Sequence, residues 1–514
     1  MTNDSVISAI DVGTNTFHMV TATVTSDLIF HTISKDKISV RLGSGEPEMK
    51  SLSEPAMARA VKAFKLFAKI AKNENAEIIA IATSAVREAE NQRDFIGRVK
   101  EETGIEIQVI SGIEEARLIF LGMNHALSVF NKKSLTIDIG GGSTETIIGF
   151  KGEVLYSSSN KLGAIRLTKE FFPNNKYNFE SINNCKRYIL GKWQPTLERL
   201  SDFNVDISVG CSGTIQTLVM MTYLSTKNVL PENINGIKVK TKELLETIGK
   251  LKLAKNSKEI SKTPGLDTKR ADIILAGALI LEIIIEFLAI KEITISTYAL
   301  KEGIAYDYIQ KTKNYQLNGY LSKIRLNSIY QICTRYQADI KHAEFIKELC
   351  LSMFDQLRDI HNLGAEAREL LTAASLLHDI GFYISHDSHH KHSFYLIMNS
   401  NMPGFTMTEA ELIANIARYH RKSMPKEKHD NFNYLDEDDK KLIWILGGIL
   451  RIAEGLDRRR NSIIESVRID IRDEYLKFTI SSENEDPDLE LWGATRRKEM
   501  LEKALGLKII VDKV

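Results

Sequence analysis

Two short stretches carry residue types that bind phosphate. The first is Ile10-Asp11-Val12-Gly13-Thr14-Asn15-Thr16; the second is Ile137-Asp138-Ile139-Gly140-Gly141-Gly142-Ser143-Thr144. Glycine at a turn permits φ > 0 and leaves backbone N–H groups bare, and Thr14, Asn15 and Ser143 add side-chain donors at the same points. The Asp before each turn, Asp11 or Asp138, offers a hard oxygen through which a divalent cation bridges to phosphate. A single Asp-x-Gly turn also reads as a plain structural hairpin. Two at matched positions read as paired cradles facing one cleft.

Positioning such cradles requires strands. Apolar, β-branched runs flank both turns, so each reads as a hairpin. The spacing predicts strands near 6–12, 17–24, 28–34 and 77–82 and helices near 54–72, 91–103 and 114–129. Residues 126–312 repeat this plan from the second cradle, which makes 1–125 and 126–312 two halves of an α/β duplication. The polar, turn-rich Asn314–Gly319 marks a boundary. Residues 313–465 carry helical periodicity, as at Leu370, Leu371, Ala374 and Leu377. Strand alternation returns in 466–514, at Val467–Ile471, Leu476–Ile480 and Leu507–Val511, and predicts a small α/β piece.

A chain of 514 residues exceeds one core. With 26% charged residues, 43% hydrophobic residues and a net charge of +1, its overall field does not favour nucleic acid or another long polyanion. The dense run Arg458-Arg459-Arg460 reads either as a local basic patch or as a solvated face. Four widely spaced cysteines, Cys185, Cys211, Cys333 and Cys350, form no Cys-x-x-Cys pair and fit a reducing, cytoplasmic setting. The start MTNDSVISAIDVG lacks a signal-peptide pattern, and the apolar stretch Ile273–Ile290 is interrupted by Gly277, Glu282 and Glu286, so it reads as a buried helix, not a membrane span.

The paired turns resemble the phosphate loops of the actin and sugar-kinase superfamily. Asp11–Met19 (DVGTNTFHM), Thr83–Arg87 (TSAVR), Ser111–Arg117 (SGIEEAR), Asp138–Glu145 (DIGGGSTE) and Gly210–Thr214 (GCSGT) resemble, in order, the signatures of the exopolyphosphatase and guanosine pentaphosphate phosphatase family. The resemblance covers nearly the whole chain and implies duplicated actin-like ATPase domains with an appended all-α, HD-like domain. It implies phosphoanhydride hydrolysis with Mg2+, on inorganic polyphosphate or, alternatively, guanosine pentaphosphate. It also implies a homodimer. The appended domain favours polyphosphate, as a channel for a long chain. A sugar-kinase-like ATPase or a non-catalytic nucleotide-sensing regulator is the reading from another class.

By the same resemblance, Glu115 is the catalytic base, Glu145 the second carboxylate and Arg87 a phosphate clamp. Glu114 and Glu115 also fit the bland role of first-turn acids favoured by the helix dipole. As neighbours on a helix they point about 100° apart, so only one faces a cleft. Asp11 and Asp138 are the implied metal ligands. Gly13, Thr14, Asn15, Gly140, Gly141, Gly142 and Ser143, with the turn Ser212-Gly213-Thr214 that opens a helix, are the implied phosphate contacts.

In the helical region, His342, the pair His378-Asp379, and Asp457 occur in the order found in HD phosphohydrolase domains, where four such ligands hold a divalent metal such as Mn2+. His389, His390, His392 and His420 add imidazoles nearby. The apolar neighbours Leu376, Leu377 and Ile380 would hold the same helix in place without a metal.

Overall fold

The first hairpin joins β1 (Ser5–Val12) to β2 (Thr16–Val24), with Asp11 opposite His18 across the ladder. Ile7, Ala9, Ile10 and Val12 of β1 are all buried, and the buried hydroxyls of Ser8 and Thr21 satisfy each other at 2.8 Å. Both faces of this strand are therefore covered. The computed structural model describes residues 5–24, 30–44, 50–127, 129–227, 234–312, 320–400, 402, 404–472, 474–482 and 485–514. The expected boundary at Asn314–Gly319 and the first residues of the expected strand 28–34 lie outside the described residues. The chain divides into two compact units, Met1–Leu321 and Ser322–Val514.

The first unit holds two sheets. β3 (Phe30–Ser39), β4 (Glu77–Ala82) and β5 (Ile107–Val109) complete one in the order β3-β2-β1-β4-β5. The second contains β6 (Ser134–Ile139), β7 (Thr144–Phe150), β8 (Glu153–Asn160), β9 (Ile207–Gly210), β10 (Lys238–Lys240) and β11 (Glu292–Ile295), ordered β10-β11-β9-β6-β7-β8. In both, a central strand has an antiparallel hairpin partner on one side and a parallel neighbour on the other: β1 between β2 and β4, β6 between β7 and β9. This is the duplicated actin-like α/β plan, with β10 as an added edge in the second half. Both hairpin turns, and the turns after β4 and β9, leave the carboxyl ends of parallel strands, where open α/β sheets bind ligands.

Helix Gly112–Ala126 runs against helix Leu300–Thr312 at backbone distance. A Cβ on Gly303 would lie 1.8 Å from the Leu118 carbonyl oxygen, and one on Gly122 would lie 2.2 Å from that of Ala299. The apolar helix Ile274–Phe287 is buried, with Glu282 held by Lys252 at 2.5 Å and Lys186 at 3.2 Å. Among the described residues no helix is long and apolar enough to cross a membrane.

In the second unit, helices Ile340–Gln356, Ala365–Leu377, Met407–Arg418 and Glu437–Leu456 enclose one apolar core. The sheet β12 (Ile464–Ile471), β13 (Tyr475–Ser482) and β14 (Lys508–Lys513) inserts Val467, Leu476, Phe478, Ile480 and Ile509 into that same core. The terminal strands thus share the hydrophobic interior of the helices.

Gly303→Ala is expected to push the two first-unit helices apart and to cost at least about 1–3 kcal/mol, the range for overpacking. Urea unfolding should report it; an unchanged midpoint would show that these backbones separate freely.

Candidate active site

The cleft floor is built by strand register. Asp138 and Glu145 are Cα partners across β6 and β7, as Asp11 and His18 are across β1 and β2, so each pair shares a face. Asp11, Gly13, Thr14 and Asn15 line the cleft from one hairpin, and Asp138, Gly140, Gly141 and Ser143 line it from the other. Ser212, Gly213 and Thr214 line it from the helix that follows β9. Gly142, Arg87 and Glu145 are not part of this lining.

The cradle glycines are there for space, not for turn handedness. None has φ in the left-handed region, contrary to the expectation from the turn sequence. A Cβ on Gly141 would lie 3.2 Å from Thr14 Cβ, and one on Gly142 would lie 2.5 Å from the Ser84 hydroxyl, which itself bonds Thr14 Oγ1 at 2.9 Å. Small residues let the two hairpins and the turn after β4 meet. The left-handed residue is instead Ser212, at φ 68°, a strain of about 1 kcal/mol or more. Its hydroxyl accepts from Ile139 N–H at 3.2 Å and donates to the Ile139 carbonyl at 3.1 Å, which pins the helix start to β6.

Helix Gly112–Ala126 separates its two acids. Ser111 caps it by accepting from Glu114 N–H at 3.1 Å. Both Glu114 oxygens accept from Arg117, at 2.8 and 2.7 Å, and Arg117 also donates to Asp307 at 2.5 Å, all buried. Glu115 turns into the cleft and accepts from Arg87 at 3.0 Å, while Arg87 also donates to the Ile110 carbonyl at 2.9 Å. Arg87 therefore reaches the cleft through Glu115.

Glu115, Asp138 and Glu145 are buried, Asp11 is half-buried beside them, and Glu115 repels the other three. Burial first, then Glu115, push Asp11 up to about 8 and Asp138 up to about 7. Glu145 is pushed well up by burial and by Glu115 and Asp138, although Ser159 donates to it at 2.7 Å. Burial raises Glu115 as well, against the pull of Arg87. Opposing this charge are Lys301 and Arg270; both line the cleft, as does Lys37, and none belongs to a motif singled out in the sequence. Arg270 lies over Gly213, where a Cβ would sit 1.9 Å from its guanidinium. His18, pushed down to about 3 by burial and by Lys301, is a neutral imidazole. The buried Cys211 thiol is pushed well up and stays protonated.

The second unit gathers another polar cluster. The side chains of His342, His378, Asp379 and Glu454 converge, as do those of Asp379, His389 and His420; in each group the potential ligand atoms lie within 4.8 Å of one another. Asp457 is outside both. It accepts from His342 Nδ1 at 2.6 Å and from Ser462 N–H at 2.8 Å, while Glu454, three residues earlier in the last turn of helix Glu437–Leu456, reaches His342 Nε2 at 3.1 Å. The residue expected as the fourth ligand thus bonds the outer nitrogen of His342, and Glu454 is the acid that joins the converging group. His390 is buried nearby, whereas His392 does not enter either group. The arginine run is divided: Arg459 pairs with Glu490 at 2.7 Å, and Arg460 donates to Asp379.

Duplicated actin-like domains with phosphate-type turns facing buried carboxylates define a phosphate-handling protein. The chain belongs to the Ppx/GppA phosphatase family, which matches residues 20–312, and residues 324–492 match domain III of Ppx/GppA phosphatases. It is 30% identical, over 99% of its length and 98% of the relative's, to a guanosine-5'-triphosphate,3'-diphosphate pyrophosphatase of Pseudoalteromonas translucida. It is 31% identical to the protein of the same description from Vibrio vulnificus, over 90% of this chain and 89% of that one. A crystal structure of an exopolyphosphatase from Cytophaga hutchinsonii is 32% identical with a TM-score of 0.56, covering 60% of this chain and 99% of that one. A family member from Aquifex aeolicus gives 25% and 0.51, over 60% and 99%.

The adjacent acids should respond oppositely to removal. Glu114→Ala strands a buried Arg117 with Asp307 alone and is expected to cost about 3 kcal/mol or more. The raised folded-state pKa of Glu115 means that its ionised form opposes folding at pH above both its folded and unfolded values, so Glu115→Gln should leave stability at pH 8 unchanged or higher. Thermal unfolding of both variants is the check; equal destabilisation would contradict this division.

Proposed function

We propose that the first unit releases the terminal 5′ phosphate of guanosine pentaphosphate by hydrolysis of its phosphoanhydride bond. The observation that carries the hydrolytic reading is Glu115, buried, raised in proton affinity and turned into a cleft flanked by both cradles. Backbone N–H groups and hydroxyls of the cradles, with Arg270, Lys37 and Lys301, hold phosphate oxygens. Glu115 takes a proton from water as that water attacks the terminal phosphorus, and the bridging oxygen leaves with the remaining phosphates. Arg87 holds the Glu115 carboxylate in place, while burial and the nearby Glu88 raise its proton affinity.

Nucleotide specificity is supported by the full-length relatives described as acting on the guanosine compound. They span the same helical domain, so its presence does not favour polyphosphate. Inorganic polyphosphate remains the second reading because the Cytophaga structure, alike over 60% of this chain, is described as an exopolyphosphatase.

The donor set fits Mg2+: half-buried Asp11 and buried Asp138 both line the cleft, and a hard cation would relieve their repulsion. Bound there, the ion would neutralise charge on the phosphate oxygens.

Orthophosphate release should be faster from guanosine pentaphosphate than from long polyphosphate at equal chain-end concentration; the reverse order would select the second reading. Glu115→Gln is expected to lower turnover at least about a hundredfold on either substrate. If Glu114→Gln alone were inactive, the base would be misassigned. Asp11→Asn and Asp138→Asn should each raise the Mg2+ concentration needed for half-maximal rate, and a Mg2+ titration superimposing on wild type would remove both from the metal site.

A further inference from the structure

Three imidazoles of the second unit are held in one orientation. His378, His389 and His420 each direct Nδ1 to the carbonyl oxygen three residues earlier, Ser375 at 2.6 Å, His386 at 3.0 Å and Ala417 at 2.7 Å. A donated Nδ1–H leaves Nε2 as the inward atom, with a lone pair when the ring is neutral. His342 is fixed likewise, by Asp457 on Nδ1. All four Nε2 atoms face acceptors. Those of His389 and His420 are 3.2 Å apart and lie 3.2 and 3.6 Å from Asp379 Oδ1. Those of His342 and His378 lie 3.1 and 3.4 Å from Glu454 Oε2 and 3.8 and 3.6 Å from Asp379 Oδ2.

Such separations suit the edges of a coordination shell: ligands about 2.0–2.2 Å from one ion stand roughly 3.0–3.5 Å from each other. His378 Nε2 and Asp379 Oδ1 are buried without a well-formed hydrogen bond, their neighbours Glu454 Oε2 at 3.4 Å and His389 Nε2 at 3.2 Å being close but poorly directed. In a purely ionic cluster each would be expected to find a partner. The two sets use different oxygens of one carboxylate, so Asp379 lies between them as a bridge.

We propose that the second unit holds a dinuclear centre of first-row divalent metals bridged by Asp379, one ion taken by His342, His378 and Glu454 and the other by His389 and His420. Imidazole-rich sites with carboxylate suit Mn2+, Fe2+ or Zn2+ more than Mg2+. The second position goes beyond the four-ligand pattern read from the sequence. Asp457 is a positioning residue, acting through His342. Arg460, 37% exposed at its side chain, meets Asp379 Oδ2 from the outer side and must swing off when that oxygen binds metal. Paired ions of this kind clamp and activate water at phosphoryl groups.

The test is metal content of the full chain purified after growth with added Mn2+ and then desalted. Wild type should carry two more Mn per chain than Asp379→Asn, and one more than the His389→Gln/His420→Gln double variant. Its electron paramagnetic resonance should show an exchange-coupled pair. Far-ultraviolet circular dichroism and orthophosphate release by the first unit check that the variants are folded. Equal Mn in wild type and Asp379→Asn would overturn the centre, and a single ion unaffected by the double variant would overturn its second position. If either variant fails to fold, the wild-type spectrum decides: coupled lines support the pair, and an isolated-ion pattern or no Mn signal overturns it.

Discussion

Asp11, Glu115, Asp138 and Glu145 are drawn onto one desolvated floor where burial, and then Glu115, raise the proton affinity of the other three, and the rest of the first unit is arranged so that they cannot move apart. Asp11 and Asp138 end buried central strands, and Glu145 is locked opposite Asp138 by register, so relief by rotation would need a strand to slip. Glu115 comes from a helix held at backbone contact with another through Gly122 and Gly303. Apolar burial in the sheets supplies the stability that this repulsion removes. An active site that destabilises its own fold is the expected counterpart of strong charge stabilisation for a ligand.

How much of this the sequence revealed followed from how local each cause is. The hairpins at Asp11 and Asp138 were legible because alternation, glycine and a terminal acid fall within a few residues. The two-half plan followed from their repetition. β5 and β10, three residues each, carry too little alternation to be seen. The purpose of the cradle glycines was misread: turn handedness is a local explanation, whereas the contacts of Gly141 with Thr14 and of Gly142 with Ser84 join segments far apart in the chain. Arg270, Lys37 and Lys301 carry no local signal of a role in the cleft for the same reason, since a lone cation acquires meaning only from what folding places beside it.

Glu454 and Asp457 illustrate the limit more finely. They lie three residues apart, close enough to share a helix face, and motif order alone favoured the aspartate. Helix Glu437–Leu456 ends before Asp457, whose backbone is no longer helical, at φ −120° and ψ 46°. Leaving the helix swings its carboxylate behind His342, where it also accepts from Ser462 N–H, while Glu454, still helical and with a longer side chain, reaches the inner face. Helix termination chose which acid faces inward.

The two units solve the same difficulty, desolvated charge, with different chemistry. In the first, carboxylates are countered by Arg270 and Lys301, with Lys37 also on the cleft wall and turns that offer N–H groups and hydroxyls, a surrounding that rewards a polyanion arriving with a hard cation. In the second, imidazoles fixed through Nδ1 hold their other nitrogens toward Asp379 and Glu454, a surrounding that rewards a cation with affinity for nitrogen. Because oxygen-rich and imidazole-rich sites rank metals differently, one chain can discriminate between Mg2+ and a transition metal by ligand type.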